Sequence, residues 1–197
     1  MRMERRLATA MRMILASLLL VLCCSTAVLA ADDSDIVHQR NQVREMAREG
    51  LSALYEAQPA ARHAVGHSAG YGVFSVYGVK IFFAGGMSGK GLVHDNRTRR
   101  DTFMKMVQAQ AGLGFGAVKD RIIWVFETER AMRDFINSGW DFGGKAQASA
   151  MVQQQGGTFA GAISVAPGVW VYQLTETGLS AELTVTGTKY YKDTDLN

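Results

Sequence analysis

The sequence predicts an α+β fold: N-terminal helices followed by a curved, glycine-rich antiparallel sheet or partial β-barrel with one further helix. Three observations carry this. Apolar residues recur at helical spacing from Ile36 to Tyr55, the period shifts toward two beyond Gly70, and glycine becomes frequent from there on. All 21 glycines of the 197-residue chain follow residue 30, and the only prolines are Pro59 and Pro167. That glycine density is well above the usual ~7%. Linkers would be polar as well as glycine-rich, whereas these glycines are threaded between Val, Ile, Phe, Trp and Tyr. They read as strand positions at tight bends or close backbone contacts.

The chain opens with Arg2, Arg5, Arg6 and Arg12 against Glu4, then the apolar run Met13 to Leu22, then Ala27-Val28-Leu29-Ala30. This is the pattern of a secretory signal, with cleavage expected after Ala30, and it divides the chain into a signal peptide, 1–30, and a single domain, 31–197. The rival reading is a retained anchor, since Met13 to Ala31 approaches the ~20 residues of a spanning helix. Ser17, Ser25 and Thr26 interrupt that run, and no charged stop-transfer flank follows. Leu22 before Cys23 makes a poor lipoprotein signal, and Leu7-Ala8-Thr9 after Arg5-Arg6 lacks twin-arginine context. An exported, periplasmic or envelope-associated protein is expected.

Cleavage changes the electrostatics. The whole chain is formally +3, with 21 basic and 18 acidic residues, and the signal removes four arginines and one glutamate, leaving 17 of each. A near-neutral domain disfavours a globally basic nucleic-acid binder. Cys23 and Cys24 also leave, so no disulfide and no thiolate remain for catalysis or metal binding.

Along the domain, Ile36, Val43, Met46, Ala47, Leu51 and Leu54 form the apolar stripe of an amphipathic helix. Pro59 suits the start of a short second helix through Ala60, Ala61 and Val65. Strands are expected at 71–76, 79–86, 90–95, 102–110, 112–117, 122–126, 141–152, 158–165, 169–175 and 179–189. In Gly112-Leu113-Gly114-Phe115-Gly116-Ala117, strict alternation leaves one face bare, so that something can pack very close. Ile122 to Phe126 is continuously apolar, as in a strand covered on both faces. Thr128 can cap a further helix, Glu129 suits its positive end, Met132, Phe135 and Ile136 line it, and Gly139 closes it.

A resemblance appears at this point. Leu54-Tyr55-Glu56-Ala57-Gln58-Pro59-Ala60-Ala61, Gly72-Val73-Phe74-Ser75 and Lys80-Ile81-Phe82-Phe83-Ala84-Gly85-Gly86-Met87-Ser88-Gly89-Lys90-Gly91 resemble the SYLF lipid-binding domain. Ile123-Trp124-Val125-Phe126-Glu127-Thr128-Glu129-Arg130-Ala131, Phe135, Phe142-Gly143-Gly144 and Phe159-Ala160-Gly161 follow in that family's order, so the likeness covers roughly residues 45–190. It implies a non-enzymatic domain that binds anionic phospholipid or fatty acid, with a membrane surface as the expected setting and no cofactor. Eukaryotic relatives also bind actin, which is not an expected partner for an exported chain, and Ser75 stands where the family often has proline.

For the headgroup the candidates are Lys80, Lys90, Arg97, Arg99, Arg100 and Lys105, since cations near a membrane surface attract anionic lipid at about 1 kcal/mol each. The rival reading is a solvated turn with Asp95 and Asp101 as salt partners. For the acyl chain the candidates are Tyr71, Phe74, Tyr77, Phe82 and Phe83, with ordinary core packing as the alternative. Ala84 to Gly91 only glances at a phosphate-binding loop, because Gly91 stands where a Ser or Thr should hold magnesium, and a tight hairpin reads better. His63 and His67 have a metal-compatible spacing but no nearby Glu or Cys. His38 and His94 lack sequence-local catalytic partners, and no Gly-x-Ser-x-Gly elbow occurs. Asn96-Arg97-Thr98 is a glycosylation acceptor only in a eukaryotic secretory pathway. The expected function is therefore lipid binding without turnover. The alternative is an envelope assembly module acting through exposed sheet edges.

Overall fold

The computed structural model describes residues 33–139, 157–176, 178–180 and 188–197, the side chains of 79–85, 110–118, 157 and 180 excepted. The chain divides into two compact units, Met1–Arg40 and Asn41–Asn197. The described residues of the first, 33–40, are helical. The expected signal peptide and the expected strand 141–152 lie outside the described residues. No helix among the described residues is long and apolar enough to cross a membrane.

The second unit opens with helix α1, residues 41–57. Helix α2, Ala61–His67, follows after Pro59. Two long strands come next, β1, Gly70–Asp95, and β2, Asp101–Phe126. Helix α3 is Glu129–Ser138, and a short 3-10 turn at Gly157–Phe159 leads to β3, Ile163–Ala166, and β4, Val169–Thr175. Strands β5, Gly178–Ser180, and β6, Thr188–Lys192, complete it. The expected α+β class holds, with the antiparallel sheet strongly curled into a half-barrel.

Three expected strands are one strand. Residues 71–76, 79–86 and 90–95 run without a break as β1, paired antiparallel with β2 from Gly70↔Phe126 to His94↔Asp101. The tight hairpin expected at Ala84 to Gly91 is absent, and the expected strands of residues 102–126 likewise merge into β2. Bending replaces turning. The register slips between Phe82 and Ala84, and Gly114 of the alternating glycine run stands opposite Phe82. A bulge and glycine are what a sharp bend in a continuous strand requires.

Beyond that bend β1 comes back against itself. A Cβ on Gly89 would stand 2.6 Å from the Ser75 carbonyl oxygen, and one on Gly70 2.4 Å from that of His94. Backbone thus approaches backbone along both arms, as expected of glycines threaded through strands; the surroundings of Gly112, Gly114 and Gly116, where a bare face is expected, lie outside the described residues.

The inner face holds the core. Phe74, Val76, Met104, Met106, Trp124 and Tyr190 are buried there with Met132 and Phe135 from α3. The Phe74 ring meets those of Phe135 and Tyr190 at 6.2 and 4.8 Å between centroids, and Trp124 meets Phe135 at 4.9 Å. Each such side chain contributes roughly 1.5–3 kcal/mol on burial. Ile122 to Phe126 is buried throughout, as its apolar run predicts. Helix α3 starts where expected, the Thr128 hydroxyl accepting from the Ala131 amide at 3.2 Å, and ends at Gly139 with φ 62°.

The outer face is covered by α1. Val43, Ala47 and Leu54 are buried, and a Cβ on Gly50 would lie 2.9 Å from the Val73 side chain. Arg44 bonds Asp101 at 2.7 Å and Arg121 bonds Glu49 at 3.1 Å, pinning the helix at two points. On the far edge of β2, β4 pairs with Arg121 to Phe126 and β6 with Met104 to Gln108. The expected strand 158–165 shrinks to β3, since Phe159 instead stacks on Trp170 at 4.5 Å from within the 3-10 turn. Of the expected strand 179–189, β5 and the start of β6 are described and 181–187 lie outside the described residues.

Candidate functional site

The pairing register sets rows of side chains across the outer face. Lys90 of β1 stands opposite Lys105 of β2, which stands opposite Tyr191 of β6. One row away, Ser88, Val107 and Lys189 face one another in the same order. The fold-back of β1 brings Ser75 and Tyr77 alongside, and α1 supplies Gln42, Val43 and Met46 as a wall. These residues enclose a half-open groove of about 430 Å³.

Tyr77, Val107 and Tyr191 are 54%, 43% and 38% exposed, and among the described residues of the second unit they are the large apolar side chains most open to solvent. All three line this groove. Scattered exposed apolar residues need no explanation, but a contiguous group marks a surface that meets something apolar.

Its charges are unequal. Lys105 Nζ lies 2.7 Å from Asp193 and 3.0 Å from Asp195, and these two hydrogen bonds raise its affinity for the proton. The Lys90 side chain is exposed, and its ammonium makes no hydrogen bond or ion pair among the described residues. Lys119 lies over the Tyr77 ring, 5.8 Å from its centroid.

A second, more polar pocket of about 390 Å³ lies between α1 and the other end of the β1–β2 pair. There Asp101 takes Arg44 Nε on one oxygen and His94 Nδ1 on the other, both at 2.7 Å. Burial pushes the Asp101 carboxyl up, but the hydrogen bonds and charges of Arg44 and His94 outweigh it and hold it below the ordinary range. His94 therefore does have a carboxylate partner, seven residues away across the hairpin. The Tyr71 ring lies 5.2 Å from that of His94. The pocket lining contains no serine, threonine or cysteine that this imidazole could activate.

The residues expected at the site thus separate. Tyr77, Lys90 and Lys105 converge on the groove, while Tyr71 lines the polar pocket. Phe74 is wholly buried, and its place is the core. The side chains of Lys80, Phe82 and Phe83 lie outside the described ones. Arg97, Arg99 and Arg100 stand in the turn between β1 and β2, at least seven residues along from Lys90 and five from Lys105, roughly 17 Å or more of extended chain in either strand. The six cations therefore do not form one cluster.

Nor are the turn's salt partners those expected. Arg97 pairs with Glu129 at 2.6 Å, while Asp95 accepts from the backbone amides of Arg97 and Thr98 at 2.8 Å each. His63 and His67 stack with centroids 3.9 Å apart, and no group of three metal-ligating side chains occurs among the described residues. Val107 and Tyr191 escaped sequence reasoning because alternation says only that they share a face with their neighbours, not that the face is half covered by a helix.

Fold and groove together define a class: a curled antiparallel sheet with a helix against each face and an apolar, lysine-edged groove beside the outer helix. No family model matches the chain. It is similar to a protein named Beta cell expansion factor A from Aeromonas veronii, 26% identical over 164 residues, covering 80% of this chain and 58% of that relative. The chain therefore spans less than two thirds of that relative's length.

Proposed function

We propose that this protein is a non-enzymatic lipid-binding module of the SYLF kind, exported to the cell envelope, that holds phospholipid or fatty acid in the groove beside α1. The observation that carries the reading is the gathering of Tyr77, Val107 and Tyr191, exposed together around one groove with Lys90 and Lys105 in the same row as Tyr191. An acyl chain entering it would gain about 0.8 kcal/mol per buried methylene, so the apolar walls dominate affinity and the lysine end orients the headgroup. The resemblance to SYLF sequences and the similarity to the Aeromonas protein support a shared module.

Native mass spectrometry of the protein purified from its own cells without detergent tests this. A co-purifying lipid mass, or a shift on adding anionic phospholipid or fatty acid, is the expected result. A clean apo mass with no shift, together with concentration-dependent oligomers indifferent to lipid, would replace it with the assembly-module reading.

A further inference from the structure

Resting on that lipid-binding reading, we infer that the groove selects an amphiphile with one acyl chain and one negative charge, whose headgroup Lys90 holds. Lys90 and Lys105 stand directly opposite each other on β1 and β2. Two ammonium groups directly opposite on neighbouring strands repel, and here the repulsion is relieved by Asp193 and Asp195, both on Lys105. One of the two carboxylates is built in: Asp193 is 2% exposed and its amide bonds the Phe103 carbonyl at 3.0 Å. Asn197 clamps the same residue, its side chain accepting from the Phe103 amide at 3.0 Å and donating to the Phe103 carbonyl at 2.8 Å.

Lys105 is therefore spent on the fold, since drawing it away would strand a buried carboxylate. What remains at that end of the groove is the Lys90 ammonium, and Asp195, 78% exposed on its side chain, adds a negative charge 3.0 Å from the Lys105 ammonium on the strand opposite. A carboxylate or a phosphodiester, each a single charge, suits Lys90. A phosphomonoester carries about −1.5 to −2 at pH 7 and would meet Asp195 with charge to spare.

Size points the same way. At about 430 Å³ the groove is in the lower part of the roughly 300–1,000 Å³ range of ligand sites. Walled by α1 on one side, it accommodates one chain along Val43, Met46, Tyr77 and Val107 rather than the pair of a diacyl lipid. Lys189, opposite Val107, is outside the lining and serves as a control.

Titration of the full protein with four amphiphiles tests this: palmitate, lysophosphatidylglycerol, lysophosphatidic acid and diacyl phosphatidylglycerol. The first two, each one chain and one charge, are expected to bind about tenfold or more tighter than the doubly charged or two-chained ones. Lys90→Gln should weaken palmitate about tenfold, the loss of one charge-assisted hydrogen bond, and Lys189→Gln less than about twofold. Asp195→Asn, at an exposed position, returns part of Lys105 to the groove and should raise lysophosphatidic acid affinity by about fivefold. Phosphatidylglycerol or lysophosphatidic acid binding as tightly as palmitate overturns the inference and leaves the lipid reading standing, as does palmitate binding unchanged by Lys90→Gln. Binding of none of the four overturns both.

Discussion

A Cβ on Gly91 would stand 2.2 Å from the carbonyl oxygen of Val73, eighteen positions earlier in the same strand. Neither atom can retreat cheaply, because one is backbone and the Phe74 ring lies 2.5 Å away on the same side. Gly91→Ala is therefore expected to cost about 3 kcal/mol or more, at or beyond the upper end of ordinary overpacking. Gly86→Ala, in the same strand with nothing within 4 Å of its added Cβ, should change stability by less than about 0.5 kcal/mol. Urea denaturation of the two variants beside the parent checks the pair. Equal costs would show that the two arms of β1 do not meet.

That same closeness explains what could be read in the sequence. Helices α1 and α3 were legible because period, cap and closing glycine are local signals, as Thr128 and Gly139 illustrate. The length of β1 was not. Gly78, Gly85, Gly86 and Gly89 mark a bend in a continuous strand with the same residues that mark a turn between two strands. The groove was half legible: Tyr77, Lys90 and Lys105 stood out by type, whereas Tyr191 reaches them through a strand pairing 86 positions away from Lys105. His94, Asp101 and Arg44 form one chain of contacts, yet Arg44 is 57 positions from Asp101 and no periodicity connects them.

Helix α3 carries Met132 and Phe135 into the core, so a weakness at its start should reach the whole unit. The Thr128 hydroxyl accepts from the Ala131 amide at 3.2 Å, satisfying one of the free donors of the first turn. Thr128→Ala is expected to cost about 1 kcal/mol, and Thr128→Ser only a small part of that. Chemical denaturation of the two variants decides it, and identical losses would show that the hydroxyl is not what caps the helix.

Asp101 makes stability fall in acid. Its folded carboxyl titrates below the ordinary 3.8, burial opposing the shift and the bonds from Arg44 and His94 prevailing. A depressed carboxylate stabilises the fold above its unfolded value and loses that contribution as pH falls through the folded one. Asp101→Asn is therefore expected to cost about 1–3 kcal/mol near pH 6, by loss of charge-assisted bonds. The deficit should narrow below about pH 3.8. Urea midpoints at pH 6 and pH 3 test this, and a deficit equal at both would show that the carboxylate's charge contributes nothing.

At the other end of the pH scale the buried phenols govern. Burial pushes Tyr172 from its ordinary 10.0 up to about 12. It pushes Tyr190 further still, with the neighbouring Trp124 indole offsetting part of the rise. Lys105 is also raised above 10.5, by its bonds to Asp193 and Asp195. In each case the folded protein keeps a proton that the unfolded chain releases, so the stabilisation is complete below the unfolded value and falls as pH rises through the folded one. The protein should accordingly lose stability from about pH 10 upward. The double variant Tyr172→Phe with Tyr190→Phe should match the parent within about 1 kcal/mol at pH 7, since each substitution removes only a hydroxyl, and should lose less stability between pH 10 and 12. Circular dichroism in urea at pH 7, 10 and 11.5 measures both limbs. An alkaline loss identical to the parent's would mean that these two phenols ionise in the folded core without cost and that the other raised groups, Lys105, Tyr55 and Tyr71, carry the effect.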